Sequence, residues 1–450
     1  MSSTHAPLLE NNSRPLNILF ATEYLPPFVS GIANRCKNLV NGYREQGHNV
    51  TVFSIVGSDC DVVVPSVPNP FYKHQRTFIL PPLSLIWELL DFTTPIKYDI
   101  AHLVAPLCLS FIPLLPLMWL RGIKIYVSYH VYLEYYRDHY VGTSDNIFIY
   151  LFNTICDLIF PLLYFIPLTW LASVVGIPSK TADNYVFDYS HRVHILKSGL
   201  DTNVFHPDAA FSHNPLKKNP SKVKLIETEI GETDNVYTNL RELSGPGNEK
   251  GPVLLYCGRL ALEKNIEFLV NCMSQPLLQD ATLVLVGDGP SRTSLEALAK
   301  SVVGSDYVYS FDPSMEDPLD GSKRHRVIFT GMVLNEHKVA SLYAQADIFV
   351  SASGSETFGF TVAEAMACGT PSVVVRSGAF PTVYKMINDW MFDMDDSEGF
   401  ADACSRVFNT IEESKLFARN VAVEGFSINS SVKDLLTTYY WIVNGCPDDL

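Results

Sequence analysis

Leu16-Asn17-Ile18-Leu19-Phe20-Ala21 is a short, nearly continuous apolar run near the start of the chain. A run of that length without alternation is how a strand buried on both faces reads. A turn-rich segment follows, Pro26-Pro27-Phe28-Val29-Ser30-Gly31. Beyond it Ile32, Cys36, Leu39, Val40 and Tyr43 recur at helical spacing, and Gly47 supplies a stop. Residues 49–56 read as the next strand. Strand, loop, helix, strand is the opening of a doubly wound α/β domain.

Outward from that unit, two further strands are expected at 99–104 and 124–128. The uncharged stretch 104–120 lies between them. The α/β rhythm restarts after Lys250. Strands are expected at 253–257, 282–286, 327–330, 347–351 and 372–375, and helices at 265–272, 291–301, 336–344 and 361–367. Residues 208–250 and 314–326 are polar and read as insertions, the first as a surface linker. With 450 residues the chain exceeds a single core. The expected organisation is a polar tail (1–15), a first Rossmann-like domain (16–195), a second (196–431), and a last segment (432–450) packing back on the first.

The net charge of −15 argues against a general nucleic-acid binder, which needs a surplus of lysine and arginine. The nine cysteines are scattered, form no CxxC pair and often sit in apolar runs, so they read as reduced core thiols. Residues 1–15 lack an apolar core, so no secretory signal is read there. The apolar stretches 104–120 and 147–172 read as buried or membrane-surface helices rather than spans.

Two segments can carry chemistry. Gly258-Arg259-Leu260-Ala261-Leu262-Glu263-Lys264 follows a buried strand and opens a helix. Two cations at that place can clamp a diphosphate and stabilise it as it leaves; the bland reading is a solvated loop. Glu356-Thr357-Phe358-Gly359-Phe360-Thr361-Val362-Ala363-Glu364 places one acid before a helix and one inside it. Such a pair can accept hydrogen bonds from sugar and ribose hydroxyls, and the helix amides beside Gly359 can meet a phosphate. The bland reading is a loop acid plus a helix acid favoured by the dipole. Asp393-Met394-Asp395-Asp396 mimics a metal-binding triplet and reads as a loop before a helix. His191 and His194 are separated by a basic-apolar pair and read as having no carboxylate partner. No metal site is expected.

These residues together resemble the retaining family-four glycosyltransferases of GT-B fold. Lys197-Ser198-Gly199-Leu200-Asp201, Val286-Gly287-Asp288-Gly289-Pro290, Phe329-Thr330-Gly331 and Ala365-Met366-Ala367-Cys368-Gly369-Thr370-Pro371 carry the same resemblance. The first half, through Pro27-Phe28-Val29-Ser30-Gly31, Asn34-Arg35 and Ser128-Tyr129-His130, is similar to the plant and cyanobacterial sulfolipid synthases. Those enzymes move sulfoquinovose from a uridine diphosphate donor to diacylglycerol. The chain departs from the family pattern at Ser377-Gly378-Ala379-Phe380-Pro381-Thr382 and at Trp390, and no long plastid presequence is read in residues 1–15.

The resemblance implies two facing Rossmann-like domains with the site in the cleft between them. It implies that Gly31 presents its amide to the donor phosphates and that His130 sits near the reacting carbon. On position alone His130 also reads as a satisfied core histidine. Arg259 and Lys264 would hold the diphosphate, Glu356 the sugar and Glu364 the ribose, with Gly287, Phe358 and Gly359 on the donor side. Arg35, Tyr129 and Arg137 are the candidates for the acceptor or an anionic sugar. The expected donor is a nucleotide sugar, UDP-linked, and the acceptor a lipid. No cofactor is implied, because no lysine segment suits a pyridoxal Schiff base. The expected place is the cytoplasmic side of a membrane surface, with a plastid as the alternative. A mannosyl- or glucosyltransferase acting on another lipid or glycan, and a non-catalytic sugar-nucleotide-binding scaffold, are the competing readings.

Overall fold

The computed structural model describes residues 14–23, 25–26, 31–55, 60–68, 76–78, 81–105, 109–130, 170–177, 193–197, 199–209, 226–227, 233–234, 240–241, 251–310, 323–356 and 358–445. The chain divides into two compact units. One is Met1–Gly199 with Ile428–Leu450, and the other is Leu200–Ser427. The boundaries expected from sequence were 195/196 and 431/432.

In the first unit β1 (Asn17–Ala21) leads to α1 (Gly31–Glu45), β2 (Asn49–Ser54) and β3 (Val62–Val63). The chain then passes through α2 (Leu83–Leu90), β4 (Ile100–Ala105), α3 (Leu115–Leu120), β5 (Lys124–Tyr129), β6 (Val174–Ile177) and β7 (Val193–Ile195). The sheet order is β3-β2-β1-β4-β5-β6-β7, with every pair parallel. The order reverses between β1 and β4, the place where open α/β sheets leave a crevice at the carboxyl ends of their strands.

Of the residues read as one face of α1, Cys36, Leu39, Val40 and Tyr43 are buried and Ile32 is partly buried. They share a core with Val432, Leu435, Leu436, Tyr439 and Ile442 of the C-terminal helix Ile428–Val443. Gly42 allows that close contact, since a Cβ there would lie 2.4 Å from Val432 Cγ2.

Among its described side chains, the stretch 104–120 is only partly buried. It forms a 3-10 turn, Leu109–Leu114, and then α3, the break falling beside Pro113. Phe111, Leu114, Leu115 and Met118 face the core, whereas Trp119 and Leu120 are about three-fifths exposed. No helix among the described residues is long and apolar enough to cross a membrane. Of the second apolar stretch, residues 147–169 lie outside the described residues.

In the second unit β8 (Val253–Cys257), α4 (Ile266–Cys272), β9 (Thr282–Val286), α5 (Arg292–Val303), β10 (Val308–Ser310) and β11 (Val327–Gly331) come first. Then follow α6 (Glu336–Gln345), β12 (Ile348–Ser351), α7 (Phe360–Ala367), β13 (Ser372–Val375) and β14 (Met391–Phe392). The helices Ser397–Asn409 and Ile411–Phe426 close it. The sheet is parallel in the order β10-β11-β9-β8-β12-β13-β14, so its switch point lies between β8 and β12.

The segment expected as a plain surface linker is partly tied down. Ile226–Glu227 pairs antiparallel with Thr233–Asp234, and Leu240 is fully buried. Arg241 donates to both oxygens of Asp347, at 2.7 and 2.6 Å. The acidic triplet is occupied by local structure. Asp396 Oδ1 accepts from Gly399 N at the start of the helix Ser397–Asn409, and Asp393 pairs with Arg376.

Candidate active site

The loops after β8 and β9 are bonded to each other. Gly258 N donates to Val286 O at 2.9 Å and Leu260 N to Asp288 O at 3.0 Å. Gly287, with φ +138°, lets them close, because a Cβ there would stand 1.9 Å from Gly258 O. This fixes the backbone from which Arg259 and Lys264 extend. Arg259 reaches Glu263, which is almost buried, and stays 40% exposed itself. Asn265 takes the left-handed conformation, φ 49°, between the short turn Leu262–Lys264 and α4.

Lys264 crosses the switch point. Its Nζ lies 2.5 Å from Glu356 Oε1, on the loop that follows β12. Ala379 N donates to Glu356 O at 2.9 Å, so the departing segment Ser377–Ala379 braces the Glu356 backbone. Gly359, φ +85°, then turns the chain into α7, and Tyr384 Oη donates to its carbonyl at 2.8 Å. Phe358 is buried, its ring against Phe360, Tyr384 and Phe426, so its side chain belongs to the core.

Glu364, on α7, accepts from Tyr343 Oη at 3.0 Å. Burial pushes its carboxyl up to about 7 from the ordinary 4.5, against the Tyr343 bond that pulls it down. Arg259, Lys264, Gly287, Glu356, Gly359 and Glu364 thus share the carboxyl edge of one sheet. Two cations held by acids, beside a helix start and a buried carboxyl, suit a ligand with both phosphate and hydroxyl groups.

In the first unit His130 follows β5 and is 7% exposed. Arg35, on α1, is 1% exposed. Its Nη1 lies 3.3 Å from His130 Nδ1, and its Nη2 donates to Lys197 O at 3.3 Å. Burial lowers both the guanidinium and the imidazole, the latter well below 6.5, with the Arg35 charge adding to that shift. Tyr129 is a core residue whose phenol burial pushes up. Gly31 begins α1. Arg137 and the tyrosines at 132–140 lie outside the described residues.

Residue-by-residue reading did not single out Glu263, Tyr343, His102, Ser128 or Tyr439. Tyr343, His102 and Tyr439 meet partners distant in sequence, whereas Glu263 and Ser128 stand four and two positions from Arg259 and His130. His194, read without a carboxylate neighbour, in fact has one. Its Nε2 lies 2.8 Å from Asp434 Oδ2, 240 positions away.

Both halves of the chain match glycosyltransferase families. Residues 29–204 match Glycosyltransferase Family 4, and residues 251–410 match Glycosyl transferases group 1. The chain is 25% identical over 402 residues to sulfoquinovosyl transferase SQD2 of Arabidopsis thaliana, covering 85% of this chain and 64% of that relative. It thus spans less than two thirds of that relative's length. It is 27% identical over 391 residues to the alpha-monoglucosyldiacylglycerol synthase of Streptococcus pneumoniae, covering 83% and 73%. Among solved structures it resembles Anabaena Alr3699/HepE in complex with UDP and glucose. The TM-score is 0.55, at 15% identity, covering 94% of this chain and 99% of that one. Two doubly wound parallel units, with one family matched in each half, place the chain among the family 4/group 1 glycosyltransferases of GT-B fold.

Proposed function

We propose that this glycosyltransferase moves a sugar from a UDP-linked donor to a lipid at a membrane surface, with anomeric retention and without a metal. The observation that carries this reading is the Lys264–Glu356 pair at the switch point, with Arg259 beside it. The cations neutralise the departing diphosphate and Glu356 holds sugar hydroxyls. Glu364 takes the ribose. His130 stands at the reacting sugar as a neutral group.

The lipid acceptor draws support from the two relatives named for sulfoquinovosyl transfer and for monoglucosyldiacylglycerol synthesis. It also fits the exposed apolar side chains of the first unit, Leu83, Trp87, Phe92, Trp119, Leu120 and Trp170. Tryptophan, with an apolar body and one N–H, suits a lipid–water boundary. The finer reading is sulfoquinovose onto diacylglycerol. One observation favours the second reading, a neutral glucosyl donor. Arg35 is buried and directed at His130 and Lys197, which leaves Arg137 as the remaining candidate for a sulfonate.

The test supplies UDP-sulfoquinovose, UDP-glucose and GDP-mannose in turn, with diacylglycerol in phosphatidylcholine vesicles. Proton NMR of the first glycolipid formed reads the anomeric configuration. Retained product from a UDP donor supports the proposal. An inverted anomer, or transfer only to water-soluble acceptors, contradicts it.

A further inference from the structure

A continuous chain of buried side chains runs from α1 through the sheet to the C-terminal helix of the first unit. Arg35 Nη1 lies 3.3 Å from His130 Nδ1, and His130 Nε2 lies 2.9 Å from Ser128 Oγ. Ser128 Oγ is 2.8 Å from His102 Nε2, and His102 Nδ1 is 2.6 Å from Tyr439 Oη. Tyr439 Oη is 3.1 Å from Tyr43 Oη. His130 is 7% exposed and every other member 1% or less.

The one group that cannot accept sets the first link of this chain. A guanidinium only donates, so His130 Nδ1 is an acceptor. A neutral His130 then carries its proton on Nε2 and donates to Ser128. In the order that runs on in the same sense, the single proton of Ser128 goes to His102 Nε2. His102 therefore carries its own proton on Nδ1 and donates to Tyr439, and Tyr439 donates to Tyr43. The reverse order would set a His130 Nδ1–H against the Arg35 N–H. Burial keeps both rings neutral, with His102 pushed down to about 3 and His130 also well below its ordinary value.

We propose that Arg35 fixes His130 as the neutral Nε2–H tautomer and that Ser128, His102 and Tyr439 are positioning residues that hold this ring in place, through a relay whose donors all point from Arg35 towards the C-terminal helix. The proposal rests on the reading that His130 stands at the reacting sugar. With both ring nitrogens engaged, His130 does not take a proton from the acceptor hydroxyl. Its contribution is a fixed ring of fixed polarity at the carboxyl end of β5. The C-terminal helix thereby becomes part of the reaction centre's support, 337 positions from His102 in sequence.

The full-length protein is labelled with 15N-histidine, and the His130 signals are identified by comparison with His130→Gln. The expected wild-type spectrum shows Nδ1 unprotonated and Nε2 protonated. Tyr439→Phe removes the acceptor for His102, and Ser128→Ala interrupts the chain. Each variant keeps Arg35 and is expected to keep the tautomer but to shift the His130 Nε2–H signal, as its acceptor is lost or weakened. Each should lower kcat about tenfold, with the donor KM within about twofold, the scale of one lost buried hydrogen bond. Ser128→Thr keeps the hydroxyl and is expected to keep the wild-type Nε2–H signal and the rate. A destabilised but otherwise unaltered enzyme would lose melting temperature and keep both. Three results overturn the proposal: a wild-type Nδ1–H tautomer, an unchanged Nε2–H signal in both interrupted variants, or a shifted signal with unchanged kcat. A wild-type protein that transfers no sugar overturns the functional reading instead, and the spectra then decide the relay by themselves.

Discussion

Lys264 Nζ lies 2.5 Å from Glu356 Oε1, although 92 positions separate them in the chain. Their strands, β8 and β12, are neighbours across the switch point, and that adjacency brings the two loops together. A diphosphate drawn to Lys264 competes with Glu356 for the same ammonium. The two residues therefore separate in their effects. Lys264→Ala is expected to weaken UDP binding about tenfold or more in titration calorimetry, through loss of a charge-assisted contact. Glu356→Gln should leave UDP affinity unchanged or tighter, yet cut turnover by about 100-fold, because the sugar hydroxyls lose a charged acceptor. Parallel loss of UDP affinity in both variants would count against this division of roles.

Arg259 is the more exposed cation, and Glu263 holds it near the helix start. Arg259→Ala is expected to lower kcat by about 100-fold, as removal of leaving-group stabilisation does. Its circular dichroism should match wild type, since a 40% exposed side chain supports little of the core. Near-normal turnover would remove Arg259 from the site.

Glu364, proposed to take the ribose, carries a stability cost. Its folded pKa, about 7, stands above its ordinary 4.5. The folded state therefore holds a proton that the unfolded chain releases between those values, and stability falls as pH rises through that window. Glu364→Gln behaves like the protonated acid at every pH. It should melt higher than wild type at pH 8, by up to about 3 kcal/mol in stability, with most of the gap gone near pH 4.5. Donor KM should rise in the same variant. A gap of equal size at both pH values would show that Glu364 does not titrate in this range.

Gly287 tests the knitted loops. A Cβ would meet the carbonyl of Gly258 at 1.9 Å, backbone against backbone, at a φ of +138°. Gly287→Ala must separate the two loops. It is expected to lower stability by about 2 kcal/mol or more and to lower turnover with it, since Arg259 is carried on the displaced loop. Thermal melting and steady-state kinetics read both. An alanine variant with wild-type melting would show that the loops can part at little expense.

Much of this architecture was legible because buried parallel strands are written locally. The strands Val253–Cys257, Thr282–Val286 and Ser372–Val375 fall where their apolar runs place them, to the residue. The buried face of α1 followed from spacing in the same way. Val62–Val63, Val308–Ser310 and Met391–Phe392 were missed, because strands of two or three residues carry too little pattern. In the site, Arg259, Lys264, Glu356 and Glu364 were recognisable as chemistry-bearing types in an ordered loop–helix context. Their partners were not. Tyr343 beside Glu364, Tyr439 beside His102 and Asp434 beside His194 are contacts between distant segments, which leave no periodicity in the sequence.

The exposed tryptophans give the membrane reading its own test. Trp87 on α2 and Trp119 on α3 are 71% and 62% exposed, and the two helices are in contact. The protein is expected to float with phosphatidylcholine vesicles at moderate salt, because apolar contact is not screened as charge is. The double variant Trp87→Ala/Trp119→Ala should stay in the soluble fraction while keeping its hydrolysis of nucleotide sugar. Flotation unaffected by the double variant would place the lipid contact elsewhere on the chain.

The central claim is that cationic side chains, without a metal, carry the departing diphosphate of a sugar donor to a lipid. It is tested most directly by following UDP release and glycolipid formation together, in excess chelator, with UDP-sugar and diacylglycerol vesicles. The account predicts equal rates of the two products, unchanged by chelator in wild type. It predicts a fall of about 100-fold or more in Lys264→Ala and in Arg259→Ala. Activity that vanishes in chelator and returns with magnesium or manganese, or that survives both substitutions, would contradict it.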